Sequence, residues 1–135
     1  MNTPIREKWG MALNAGFQVV PNVLIRAQHE LGLGAMDVLV LLNLNLHWWR
    51  SDRPPFTRPA VIANRMGVSK RTVERRLSFL ERKGFIERLP PVILDGGGPT
   101  QRPYRLDGLV ERLKQAAAVD AARRQFKAAR DKVEN

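Results

Sequence analysis

The sequence predicts a mainly α-helical chain with one small β-hairpin, and three observations carry that expectation. Two helices with their own start and stop signals meet at a single glycine, apolar segments recur at helical length, and a Pro/Gly-rich connection joins two short extended runs. The 135 residues suit one domain and a short extension. At 44% hydrophobic and 27% charged, the composition is that of ordinary globular chains.

Residues 1–16 (MNTPIREKWGMALNAG) show no sustained period and contain Pro4, Gly10 and Gly16, so a loosely ordered, flexible arm is expected there, with Trp9 the residue able to dock it. From Pro21, PNVLIRAQHEL places Val23, Leu24, Ala27 and Leu31 at helical spacing, with Asn22 available as a cap and Gly32 and Gly34 ending the pattern. The stretch from Met36 to Trp49 is apolar on nearly every side, as in a helix buried at the centre of a small core. A buried strand is the competing reading, and length and leucine content favour the helix.

SDRPP, residues 51–55, breaks the chain. Thr57 is then expected to cap a short helix, RPAVIANRM, which tolerates Pro59 in its first turn and turns Val61, Ile62 and Met66 inward. Gly67 suits a left-handed stop. Ser69 caps a longer helix, KRTVERRLSFLERK, ended by Gly84. Two capped helices joined by a tight glycine turn are a helix-turn-helix signature. FIERL and YRL, joined by PPVILDGGGPTQRP, read as a hairpin with a flexible tip. From Asp107, placed to cap, a final helix is expected, with Leu109, Leu113, Ala116 and Ala117 as a modest stripe.

Charge points to the partner. The 23 Lys and Arg against 13 Asp and Glu leave +10, and residues 50–88 alone carry +7. A local excess of that size fits an anionic partner such as nucleic acid, with a solvated basic face as the plain alternative. On a helical wheel Val73, Leu77 and Leu80 fix one face of the longer helix against the core, so Arg71, Arg75, Ser78 and Arg82 occupy the other, with Lys70 in the first turn. Arginine can bond guanine O6 and N7 together, and a helix displaying arginines opposite its core stripe can enter a major groove. Lys70, Arg71 and Arg75 are therefore assigned to base or near-base contact, Glu74 to a cytosine amine, and Arg82 to phosphate. Ser69 stands as a cap, a phosphate contact or both, and Thr72, on the flank of the helix, as a phosphate contact or a hydroxyl facing solvent. Arg76 is read as packing its stem beside the apolar face. Arg58, ahead of Arg65, is the phosphate candidate on the shorter helix, and Arg88, Arg102 and Arg105 flank the hairpin tip within reach of a minor groove or its phosphates.

Other chemistries find no support. The lack of cysteine removes disulfides, cysteine-ligated zinc, iron–sulfur clusters and thiol nucleophiles, and agrees with a cytoplasmic setting. His29 and His47 lack companion ligands, so no metal site is expected. The glycines at 96–98 match no nucleotide-binding pattern. Trp48 and Trp49 read as core or interface anchors. No paired carboxylates or activated nucleophile appear, and neither an enzyme, a cofactor, a small-molecule ligand nor a membrane partner is expected.

The run TRPAVIANRMGVSKRTVERRLSFLERKGFIERL, the Gly-rich tip and RPYRLDGLVERL together resemble the winged helix-turn-helix proteins of bacterial transcription regulators and of plasmid or phage replication initiators. The resemblance covers residues 17–114 and is most specific in GVSKRTVERRLSFLERKGFI. It implies a three-helix core plus a β-hairpin wing, with an extra C-terminal helix. It further implies sequence-specific binding of double-stranded DNA as a homodimer, with recognition positions on Ser69, Lys70, Arg71, Thr72 and Arg75 and wing contacts near Gly97 to Arg102. The long wing loop, with Pro90, Pro91 and Pro99, departs from the family pattern. The division expected is an arm at 1–16, a DNA-binding domain at 17–106, and a C-terminal helix with basic tail at 107–135. Transcription regulation is the first reading of function, origin recognition by a replication initiator the second, and a protein-interaction module with weak DNA binding the third. The nucleoid or a plasmid is the expected location, and the N-terminal arm or the Ala-rich last helix the expected dimer contact.

Overall fold

The computed structural model describes residues 3–48, 50–93 and 101–134. Their order is α1 (Thr3–Trp9), a 3-10 turn (Gly10–Ala15), α2 (Val23–Arg26), α3 (Ala35–Asn45), α4 (Pro59–Met66), α5 (Lys70–Arg82), β1 (Glu87–Arg88), β2 (Tyr104–Arg105) and α6 (Asp107–Glu134). The chain is mainly helical with a small antiparallel hairpin, as its sequence predicts. The hairpin pairs Glu87 with Arg105 and Arg88 with Tyr104, and a further bridge joins Val92 to Gln101. Its glycine-rich tip, including Gly97 and Pro99, lies outside the described residues, as does Trp49.

One core joins these elements: Leu24 of α2, Val40, Leu41 and Leu44 of α3, Ile62 of α4, Val73, Leu77 and Leu80 of α5, Phe85, Ile86, Tyr104 and Leu106 of the hairpin, and Leu109 and Leu113 of α6. Burying a side chain of the Leu or Phe class stabilises by about 1.5–3 kcal/mol, so this cluster outweighs any surface ion pair. The α4–α5 junction follows from two residues. Gly67 takes φ 69° and ψ 32°, which a Cβ would strain, and the Val68 amide donates back to Ala63 O at 3.0 Å. Ser69 Oγ then accepts from the Thr72 amide at 3.1 Å, starting α5 as expected.

Several local expectations are corrected. Residues 3–15 are helical where an irregular arm is expected, with Leu13 buried and Trp9 exposed under Lys8 Nζ, 5.0 Å from its ring centre. Pro4 near the start of α1 is compatible with this, because a first-turn proline forfeits no helical bond. The helix expected from Pro21 to Leu31 is only four residues long, and Asn22 is itself helical, with no side-chain cap. Thr57 does not cap α4: its buried hydroxyl donates to its neighbour's carbonyl, Phe56 O, at 2.8 Å, and extended Arg58 takes the N-cap place. Val61 faces outward and Ala63 is buried instead. The run from Met36 is a helix and not a strand, yet Met36 and Leu39 are exposed. Asp107 is the first residue of α6, its carboxylate 3.7 Å from Arg105 Nε.

Candidate nucleic-acid interface

α5 carries the hydrophobic face and the cationic face on one cylinder. Val73, Leu77 and Leu80 are buried, which locks the rotation of the helix, and Arg71, Arg75 and Arg82 consequently emerge together into solvent. From Arg71 to Arg82 the helix rises about 16 Å. None of these three guanidinium groups, nor that of Arg58 at the start of α4, has a hydrogen-bonding or ionic partner among the described residues. Lys70 lies 3.7 Å from Glu74 Oε1, so the cation and the carboxylate expected to read bases occupy each other in the free protein. Ser69 and Thr72 are joined by a hydroxyl–hydroxyl bond of 2.9 Å besides the cap, so both side chains have local work at the helix start.

The hairpin arginines behave differently. Arg88 turns inward: its Nη2 donates to Ser78 Oγ at 3.0 Å and its amide to Glu81 Oε2 at 2.9 Å, tying β1 to α5. Arg88 therefore stands apart from the free cations, and Ser78 leaves the open face with it. Arg102 is exposed and donates Nε to Leu89 O at 3.2 Å, bracing the hairpin across its strands. Arg105 sits between Glu87 at 3.2 Å and Asp107 at 3.7 Å.

Two features escape a local reading of the sequence. Arg76 reaches the buried carboxylate of Asp37 at 3.3 Å, and Asp37 also accepts from the Gly34 amide at 2.8 Å, which links α5 to the start of α3. The Arg76 guanidinium lies 4.9 Å from the Phe79 ring centre. The second feature is a cavity of about 730 Å³ whose lining includes His47, Arg50, Arg53, Phe56, Arg58 and Arg65. Only the approach of α3, the 50–58 loop and α4 gathers these residues. No group of His, Asp or Glu suited to a metal ion occurs among the described residues, and none of their helices is long and apolar enough to cross a membrane.

The chain as a whole has similar counterparts among known proteins. The crystal structure of the N-terminal domain of DnaD protein from Geobacillus kaustophilus HTA426 is similar at 25% sequence identity and a TM-score of 0.60, covering 93% of this chain and 99% of that one. A possible transcriptional regulator from Methanosarcina mazei Go1 is more distant, at 19% identity and a TM-score of 0.47 over 76% of this chain and 82% of that one. No curated protein matches. The family model described as the DnaD N-terminal domain matches residues 20–125, most of the chain, from the approach to α2 well into α6. The chain belongs to the DnaD N-terminal domain family.

Proposed function

We propose that this chain is a winged-helix protein that binds double-stranded DNA in a sequence-specific manner, with α5 as the recognition helix, the hairpin as the wing, and Arg58 on a flanking phosphate. The observation that carries this reading is the line of Arg71, Arg75 and Arg82, exposed and unpartnered, opposite a stripe buried in the core. Leaving three cations unpaired on one helix face contributes nothing to folding and suits docking to an anionic groove. Between regulation of transcription and initiation of replication, membership of the DnaD N-terminal domain family favours initiation. The test is selection of bound fragments from genomic or plasmid DNA with the intact chain and with Arg71 and Arg75 both changed to Ala. An enriched sequence that vanishes in the variant, located at an origin, is the expected result. Enrichment at promoters would favour the regulator, and weak binding to every fragment would overturn the reading in favour of a protein-interaction module.

The working unit on this reading is a homodimer, which doubles a short recognition site. Two apolar faces are uncovered. The outer part of α6 exposes Val119, Ala122, Phe126, Ala129 and Val133, spaced three and four apart as in a helix-pairing seam, and the N-terminal segment exposes Trp9, Met11, Phe17 and Val19. Sedimentation of the Phe126→Asp and Trp9→Asp variants identifies which face closes the dimer. A wild-type chain that sediments as a monomer at all concentrations removes it.

A further inference from the structure

We infer that the cavity between the end of α3, the 50–58 loop and the face of α4 that carries Val61 and Arg65 binds a nucleotide of single-stranded DNA, its phosphate held by Arg53, Arg58 and Arg65 and its base stacked on Phe56. The loop's own chemistry places the ring. Pro54 and Pro55 favour extended backbone, and along extended chain successive side chains alternate. Pro55 and Thr57 are buried, so Phe56 between them points out, 45% exposed. The Tyr104 amide donates to Pro55 O at 2.8 Å, so this stretch is pinned along β2 and the ring stands on a fixed backbone. An aromatic ring with nearly half of its surface open beside a cationic cavity offers a ready stacking platform.

The charge around the ring selects the ligand. The lining holds four arginines and His47, and no acidic side chain. Arg50 is already engaged by Asp52, at 3.2 Å through both Nε and Nη2. Arg53 and Arg58 have no side-chain partner among the described residues, and Arg65 donates only to the neutral amide oxygen of Asn43, at 3.2 Å. The volume of about 730 Å³ falls within the roughly 300–1,000 Å³ usual for ligand sites. Free guanidinium groups call for phosphate, and the ring beside them calls for a flat apolar face. A nucleotide joins the two. In a duplex the base faces are covered by their neighbours, so a duplex backbone would engage the arginines and leave Phe56 unused; an unpaired strand uses both. The site stands apart from the arginine face of α5 and shares only Arg58 with the duplex reading, whereas Phe56 and Arg53 belong to the cavity alone.

Fluorescence anisotropy of the intact chain with a labelled oligothymidylate and with the selected duplex tests this, using Phe56→Ala, Phe56→Trp and Arg53→Ala, with Arg71→Ala/Arg75→Ala as the contrasting variant. Phe56→Ala is expected to lower affinity for the single strand about tenfold, the weight of one stacked base, while Phe56→Trp retains it. Arg53→Ala should weaken the same binding, and neither Phe56→Ala nor Arg53→Ala should move duplex affinity by more than about twofold; the α5 variant should show the reverse pattern. Thermal melting of each variant confirms that it is folded, and Arg53, an exposed side chain, provides a second readout that does not remove an apolar ring. Absence of single-strand binding by the wild-type chain, or equal binding by wild type, Phe56→Ala and Arg53→Ala, overturns the inference. Equal losses on both DNA forms would also overturn it, by assigning the cavity to duplex backbone.

Discussion

Asp37 is the residue on which the junction of α3 and α5 turns. Its carboxylate is buried, accepts from the Gly34 amide and meets Arg76, whose side chain remains about a third exposed. Removing the cation strands a buried charge, which costs more than losing both partners together. Arg76→Ala should therefore lower stability by about 1–3 kcal/mol in chemical denaturation, and adding Asp37→Asn should return part of that loss. An Arg76→Ala loss no larger than that of a neutral surface substitution would show that the pair carries no such weight. Tyr104 gives a pH signature. Burial pushes its phenol above the usual value of 10.0, while Arg88 and Arg102 pull it partly back. Because the folded state holds this proton more tightly, its stability is unaffected below pH 10 and is lost as pH climbs beyond it. Urea midpoints measured from pH 9 upward should thus decline more steeply for the wild type than for Tyr104→Phe.

At the scale of elements, α6 is seated by a close backbone approach. The Leu109 amide donates to Phe85 O at 2.9 Å, the Arg112 guanidinium lies 4.3 Å from the Phe85 ring centre and bonds to Lys83 O, and a Cβ on Gly108 would run into the Gly84 carbonyl. Gly108→Ala must therefore lift the helix from the turn after α5. A loss of about 1–3 kcal/mol is expected, read by denaturation, and an unchanged midpoint would mean that the helix shifts without cost. Nothing in the local pattern around Gly108 marks this contact, since its neighbour lies more than twenty residues earlier in the chain. α5 and its turn are legible because every signal is local: Gly67 and Ser69 set its start, and a clean period separates Val73, Leu77 and Leu80 from the arginines. α3 is legible as a helix but not in its orientation. A run that is apolar on almost every side has no stripe to orient it, so burial of Asp37 and exposure of Leu39 are decided by tertiary packing. Thr57 shows the same limit, because a hydroxyl beside its own neighbour's carbonyl has an alternative to capping. The free arginines of the candidate site follow from the wheel, whereas the inward turn of Arg88 depends on Ser78 and Glu81 across the α5–β1 corner.

Across the whole molecule, the distribution of charge matters more than its total. The +7 of residues 50–88 is divided by the fold between structural cations, such as Arg76 and Arg88, and free ones at Arg53, Arg58, Arg71, Arg75 and Arg82. The second half of α6 adds Arg123, Arg124, Lys127, Arg130 and Lys132, partly offset where Arg123 meets Glu30 at 3.2 Å and Arg124 meets Asp120 at 3.2 Å. Exposed pairs of this kind contribute at most about 1 kcal/mol and yield readily to phosphate. DNA affinity should consequently depend steeply on salt, with a slope that counts the phosphates engaged. Duplex recognition by α5 is tested by the affinity of the selected duplex measured across a range of salt concentrations, for the wild-type chain and for Arg71→Ala/Arg75→Ala. A steep salt dependence is expected for the wild type and a loss of about 1–3 kcal/mol for each arginine removed, with discrimination between the selected duplex and a scrambled one collapsing in the variant. Salt-independent binding, or a variant that still distinguishes the two duplexes as well as the wild type does, would contradict it.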